Sequence, residues 1–169
     1  KQNCVSSLSP AICRRILTEK DIVKRISNQF TYGQVEKFID EICWRTYWKG
    51  WLEHRPQVWY DYLIELKQLK QLKLHSLDYK NAITGNTGLE CFDTWVNHLL
   101  KFGYLHNHTR MWFASLWIFH FKLPWQLGAE LFYQNLLDAD SASNTLSWRW
   151  VAGLQTKGKK YIASIENIN

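Results

Sequence analysis

Proline and glycine are scarce in this chain, three and eight residues among 169. A sandwich or propeller needs a turn roughly every 8–12 residues, and so few breakers do not supply them. Cysteine is sparse as well. Cys4, Cys13, Cys43 and Cys91 are scattered, with no Cys-x-x-Cys and no close Cys/His grouping. That spacing suggests neither a zinc site nor a disulfide framework, and the expectation is reduced thiols in a cytoplasmic protein. Long apolar runs are missing too: the richest stretch, residues 111–121, falls far short of the roughly 20 residues that span a bilayer. The N-terminus carries no hydrophobic leader, so a soluble protein with no membrane partner is expected. Because the first residue is Lys1 and not Met, the sequence reads as an excerpt of something longer.

What is present is a globular composition, 46% hydrophobic and 21% charged, which excludes a disordered tail or a fibrous repeat. The length suits one domain burying roughly 70% of the surface its unfolded chain exposes. Aromatic residues are abundant. Ten Trp, eight Tyr and eight Phe exceed an ordinary composition, with Trp the clear outlier. Lys and Arg number 21 against 15 Asp and Glu, a formal charge of +6 that draws the chain towards polyanions and tilts the prior to nucleic acid.

The periodicity is helical. Thr31 and Gln34 have capping-box spacing, and behind them Val35, Phe38, Ile39, Ile42 and Thr46 recur every three or four residues, which predicts a helix over residues 32–54. On its neighbouring stripe lie Glu41, Trp44, Arg45 and Trp48, a face too polar for simple core. After Pro56 a second helix sets Leu63, Leu66, Leu69 and Leu72 against Lys67, Lys70 and Lys73, the basic stripe reading as a solvated face. Residues 81–88 read as a turn, followed by a third helix from about Leu89 that ends before Gly103. Asn107 is the expected cap of a fourth, buried helix over residues 108–121, and Pro124 sits in the first turn of a fifth that lasts to Leu137. With no sustained strand alternation, the fold class is all-α, one domain over residues 1–169.

The usual motifs are absent. There is no Gly-x-Gly-x-x-Gly, phosphate-binding loop or nucleophile elbow. Asp138-x-Asp140 fits a helix-terminal loop, a calcium-loop fragment or two solvated carboxylates, and the Gly and distal Glu of an EF-hand do not follow it. His106 and His108 lack a third metal ligand and read as capping or solvent-facing imidazoles, so no metal is expected.

One ordered series is more specific. Gly103, His106, Asn107, Arg110 and Met111, then Asp138, Asp140 and Asn144, then Trp148 and Trp150, resemble the flavin-binding region of the photolyase/cryptochrome family. The likeness extends upstream through Thr87, Gly88 and Asp93, through Glu41, Trp44 and Arg45, and to the segment from Val5 to Pro10, covering nearly the whole chain in the family's order.

The resemblance implies a helical FAD-binding domain. Ser6, Leu8 and Ser9 match the segment that contacts the cofactor's diphosphate, Arg110 and Asp138 a pair bracketing the isoalloxazine, Asp140 a carboxylate near the ring's polar edge and Asn144 the side chain facing flavin N5. Phe38, Arg45, Tyr104 and Asn107 match further cofactor positions. Damaged DNA is the implied partner: Trp44 and Trp150 match the walls around a flipped pyrimidine dimer, Glu41 the acid that hydrogen-bonds a dimer carbonyl and Met111 a floor residue, base flipping being a known property of photolyases. Trp148 and Trp125 match the first two members of an electron relay, the third being unassigned with Trp59 as a candidate.

The sequence departs from the family at Val5, where a Thr is usual, at His108, where an Arg commonly meets DNA, and in its loose echo of the closing motif at residues 165–169. The family's antenna domain is expected to lie outside the excerpt, or a partner chain to complete the pocket. Three functions are thus in view: a light-driven repair lyase, a cryptochrome-like photoreceptor, and a flavin-free helical nucleic-acid-binding module. Glu41, Trp44 and Trp150 together favour the first.

Overall fold

The computed structural model describes residues 5–73, 76–156 and 158–168, so Cys4 and Asn169 lie outside it. The helices are α1 (Ser9–Cys13), α2 (Glu19–Ser27), α3 (Tyr32–Glu53), α4 (Gln57–Lys73), α5 (Leu77–Thr84), α6 (Glu90–Phe102), α7 (Asn107–Ser115), α8 (Trp125–Asn135), α9 (Ser141–Val151) and α10 (Ile165–Ile168). Among the described residues there is no strand.

Local chemistry sets most of these boundaries. The reciprocal box of Thr31 and Gln34 starts α3, with the Thr31 N–H donating to Gln34 Oε1 at 3.0 Å. Thr18 caps α2 by accepting from the Asp21 N–H. Asp93 reaches back from the first turn of α6 and accepts from the Thr87 N–H and hydroxyl and from the Gly88 N–H, lacing the preceding turn onto the helix. Gly103 ends α6 at φ +64°, and a Cβ there would press on Leu137 Cγ at 2.8 Å, so both the backbone angle and the close approach demand glycine.

Several boundaries differ from expectation. Residues 81–84, read as turn, complete α5, and the turn begins at Gly85 in the left-handed region. His106, not Asn107, caps α7, its ring accepting from the His108 N–H. The fourth helix is not uniform: after Ser115 it widens into a π turn, Leu116–His120, closed by the Phe121 N–H donating to Leu116 O. α8 stops at Asn135, two residues early, because the chain is taken up by pairing of the Leu137 N–H with Gly103 O. On α4, Leu63 and Leu72 are exposed, and the inward stripe is Trp59, Tyr62, Leu66 and Leu69. Lys70 is not simply solvated, since its Nζ meets Glu130 Oε1 at 2.6 Å. On α3, of the five apolar-spaced positions only Ile42 is buried and Thr46 is exposed, since the helix gives its other face to a cavity.

The main core gathers α4 to α9 around Phe92, Phe113, Trp117 and Leu127, all without meaningful exposure. A second, small cluster joins Ile12, Ile22 and Ile42 from α1, α2 and α3, with Leu8, Leu17, Ile26 and Phe38 against it. α9 packs on both α8 and α3. The cavity lies where α3, α7 and α9 meet under the N-terminal segment.

Candidate functional site

α3 supplies the first wall. Its capping box fixes the helix start, so Phe38, Glu41, Trp44, Arg45 and Trp48 follow at spacings of three and four onto one face and line the cavity together. Trp44 is held in a small aromatic cluster, 5.3 Å from Tyr47 and 5.5 Å from Trp48 between ring centroids, while remaining half exposed.

α7 supplies the second wall through Asn107, Arg110 and Met111, with Tyr104 just before it. Arg110 Nε donates to Leu105 O at 2.8 Å, and its Nη2 donates to Asp138 Oδ2 at 3.1 Å and lies 3.0 Å from Oδ1. The second contact is an ion pair without hydrogen-bond alignment, because Asp138 Oδ1 is buried and has no hydrogen-bond partner.

α9 supplies the third. Asp140 caps it by accepting from the Ser143 N–H at 2.9 Å, and the same carboxylate lies 3.4 Å from Lys49 Nζ and 4.0 Å from Arg45 Nη1. Burial pushes the Asp140 carboxyl up, but the Ser143 N–H and the two cations outweigh it and hold it below its ordinary value. One turn on, Asn144 Nδ2 donates to Ala129 O at 2.8 Å, which leaves its carbonyl oxygen as the atom for the cavity. Trp148 and Trp150 close the wall. Trp148 is enclosed by Phe113, Trp117 and Phe132, all edge-on, and its indole sits over Gly128, where a Cβ would collide with it.

The structure therefore brings onto one cavity Ser6, Ser9, Phe38, Glu41, Trp44 and Arg45 from the first third of the chain. It joins them there to Tyr104, Asn107, Arg110, Met111, Asp138, Asp140, Asn144, Trp148 and Trp150. Two of the chosen residues stand outside the lining. Leu8 packs on the small apolar cluster beside the cavity, and Trp125 stacks on Tyr62 at 5.4 Å, Tyr62 in turn lying 5.3 Å from Trp59. Trp48 and Trp51 line the cavity although the sequence reading gave them no role; they continue the stripe of Glu41 and Trp44, so the spacing carried the signal. Gln155 and Thr156 also line it, brought in by the turn at Gly153 after α9, and the sequence reading gave neither a role.

The cavity is a cleft open to solvent with about 750 Å³ of space, within the range of small-molecule and cofactor sites. Its chemistry is mixed. Aromatic faces line one part, and four buried polar atoms on its walls have no hydrogen-bond partner: Arg45 Nη1, Asp138 Oδ1, Ser143 Oγ and Gln155 Oε1. A buried polar atom left with neither a hydrogen bond nor an ion pair costs about 1–3 kcal/mol unless something satisfies it. Donors and acceptors grouped beside aromatic faces fit a flat, polar-edged ring with a charged tail. A metal does not fit as well: among the described residues no group of three or more His, Cys, Asp or Glu side chains is placed to hold one, and the His106 and His108 rings stack on each other at 5.4 Å. No described helix is long and apolar enough to cross a membrane.

Comparison with known proteins bears directly on that chemistry. A family profile described as the FAD binding domain of DNA photolyase matches residues 38–169. The chain belongs to this photolyase family. Its relatives include the deoxyribodipyrimidine photo-lyase of Agrobacterium fabrum, 32% identical over 77% of this chain and 27% of that protein. Another is the enzyme of the same name from Buchnera aphidicola subsp. Baizongia pistaciae, 27% identical over 93% of this chain and 32% of that protein. In structure it is similar to a bacterial class III photolyase from Agrobacterium tumefaciens, with a TM-score of 0.76 and 27% identity over 95% of this chain and 34% of that one. The chain thus spans about a third of the length of these photolyases. The profile includes Phe38 to Trp150 but not Ser6, Leu8 and Ser9. The cofactor of the family is FAD, which sets aside the flavin-free module.

Proposed function

We propose that this chain is the flavin-holding unit of a light-driven DNA repair lyase that splits pyrimidine dimers. The observation that carries the reading is that Glu41, Trp44, Met111 and Trp150, the residues suited to a flipped dimer, share one cavity with the residues suited to FAD. Residues 1–169 act as a single domain in this reading, with α1, α3, α7 and α9 each contributing to the site.

For the cofactor, the hydroxyls of Ser6 and Ser9 and the Arg45 guanidinium are suited to phosphate oxygens, with Leu8 seating the segment that carries the two serines. The Arg110–Asp138 pair, with one carboxylate oxygen free of hydrogen bonds, would flank the flavin ring, with Asp140 on the side of its polar edge and the oriented Asn144 amide oxygen available to it. Phe38, Tyr104 and Asn107 complete the enclosure. Bound in its reduced form, FAD would supply the light-driven one-electron chemistry that dimer splitting needs.

For the substrate, Trp44 and Trp150 offer indole faces, and stacking returns about 1–3 kcal/mol per base against the few kcal/mol of unstacking. Glu41 stands on the same helix face, one turn before Trp44, where its carboxyl, in the acid form, would donate a hydrogen bond to a dimer carbonyl oxygen and stabilise the negative charge that develops there. Met111 forms the floor. Trp148 and Trp125 carry electrons towards the flavin, with Tyr62 and Trp59 the aromatic neighbours beyond Trp125. The formal charge of +6 favours a DNA partner, single- or double-stranded.

The test is to load the chain with FAD, reduce it, add an oligonucleotide bearing one cyclobutane dimer, and compare near-ultraviolet light with darkness. Repair in light alone is expected. Flavin photoreduction without any repair would instead support the photoreceptor reading.

A further inference from the structure

Trp150 has an aromatic neighbour on the far side of the chain turn that follows α9. Gly153, at φ +80°, reverses the backbone, and a Cβ there would press on Lys160 Cβ at 3.1 Å, so the returning segment lies tight against the helix end. The return is fastened at two points: the Tyr161 N–H donates to Val151 O at 3.2 Å, and the Ala163 N–H donates to the buried Ser115 hydroxyl at 2.8 Å. Between these fasteners the Tyr161 ring stacks on the Trp150 indole, 5.6 Å between centroids and 25° between planes. Trp150 also lines the cavity, so its indole is sandwiched between the strap and the site.

We propose that Tyr161 is a positioning residue, fixing the plane of Trp150 so that a base extruded into the cavity meets a wall already set. The proposal rests on the reading in which Trp150 flanks a flipped pyrimidine dimer. A free indole on the last turn of a helix has several rotamers, and a stacked base must select one; the ring of Tyr161 makes that selection before the ligand arrives. The π-face does this work. The phenol hydroxyl has no part in it, so phenylalanine serves equally well. Tyr161 is half-buried at the edge of the core, and its removal leaves the α3, α7 and α9 walls of the flavin site in place.

The experiment uses the full chain as wild type, Tyr161→Ala and Tyr161→Phe. In 5-fluorotryptophan-labelled, DNA-free protein the Trp150 fluorine resonance is assigned by its loss in Trp150→Phe. One sharp line is expected in the wild type and in Tyr161→Phe, and a broadened or split line in Tyr161→Ala. With FAD bound, the Kd for dimer-bearing oligonucleotide should rise about three- to tenfold in Tyr161→Ala and stay near wild type in Tyr161→Phe. Flavin affinity should be the same in all three. A purely structural role predicts a lower melting temperature in Tyr161→Ala with an unchanged Trp150 line and unchanged dimer affinity, and that result overturns the proposal. A wild-type chain with no preference for the dimer overturns the functional reading instead, and the fluorine line still decides whether Tyr161 holds Trp150.

Discussion

Arg110 and Asp138, 28 positions apart, meet at the cavity wall with Arg110 Nη2 at 3.0 Å from Asp138 Oδ1. Asp138 is buried, and the arginine also holds Leu105 O through Nε, so this one side chain ties the entry of α7 to the loop before α9. Arg110→Ala should therefore leave a buried carboxylate unpaired. We expect a loss of about 2–4 kcal/mol, somewhat under the full range for a broken buried pair because Arg110 retains partial solvent access. Urea unfolding measures it. Arg110→Lys should recover only part, since an ammonium cannot serve both partners from the guanidinium's fixed fork.

Asp140 makes stability acid-sensitive. Its carboxyl is pushed up by burial but held lower overall by the Ser143 N–H, Lys49 and Arg45, so its folded pKa lies below the ordinary 3.8. The stability it contributes is fully present above that ordinary value and is lost as the pH falls below it, through the folded value. Asp140→Ala should cost about 0.5–2 kcal/mol at neutral pH for the helix cap, and should flatten the acid limb of the stability curve. Equal acid sensitivity in the two proteins would contradict this.

At Gly128 the Trp148 ring of α9 lies directly against the α8 backbone. A Cβ there would strike the Trp148 ring and come within 3.0 Å of Trp117 Cε2. Gly128→Ala should destabilise by about 1–3 kcal/mol by overpacking, despite alanine's better helix propensity, and a thermal melt reads the difference.

Trp148 offers a test of the relay. Replacing it by Phe in this enclosed setting leaves a void among Phe113, Trp117 and Phe132, so a stability loss of about 1–3 kcal/mol is expected, and photoreduction must be compared well below the melting temperature. Under those conditions, with oxidised FAD and an external thiol, Trp148→Phe should photoreduce far more slowly than wild type. Equal rates would remove Trp148 from the relay.

The parts of the fold that could be read from sequence are those settled by neighbours along the chain. Thr31 with Gln34, and Gly103, announce helix ends because their partners lie within a turn or two. The stripe of Glu41, Trp44 and Arg45 was legible for the same reason, as a period on one helix. The π turn after Ser115 was not, because it goes with a tertiary fit in which Trp117 Nε1 donates to Pro124 O at 2.9 Å. Nor was the capping of α7 by His106, a residue type outside the usual caps. At the site, Asp138 and Asp140 stayed ambiguous as isolated residues. Only packing shows that one faces Arg110 while the other faces Lys49 and Arg45. Gln155 reaches the cavity wall through a backbone reversal at Gly153; the glycine signals a turn, but nothing in the local sequence says what that turn packs against.

The central claim is that the cavity between α3, α7 and α9 holds FAD, and calorimetric titration of the chain with FAD tests it most directly. Wild type should saturate at one flavin per chain, and Arg45→Ala, which removes from the wall a guanidinium whose buried Nη1 has no hydrogen-bond partner, should bind about 10- to 100-fold more weakly. No saturable binding by the wild type, or the same affinity in Arg45→Ala, would contradict the account.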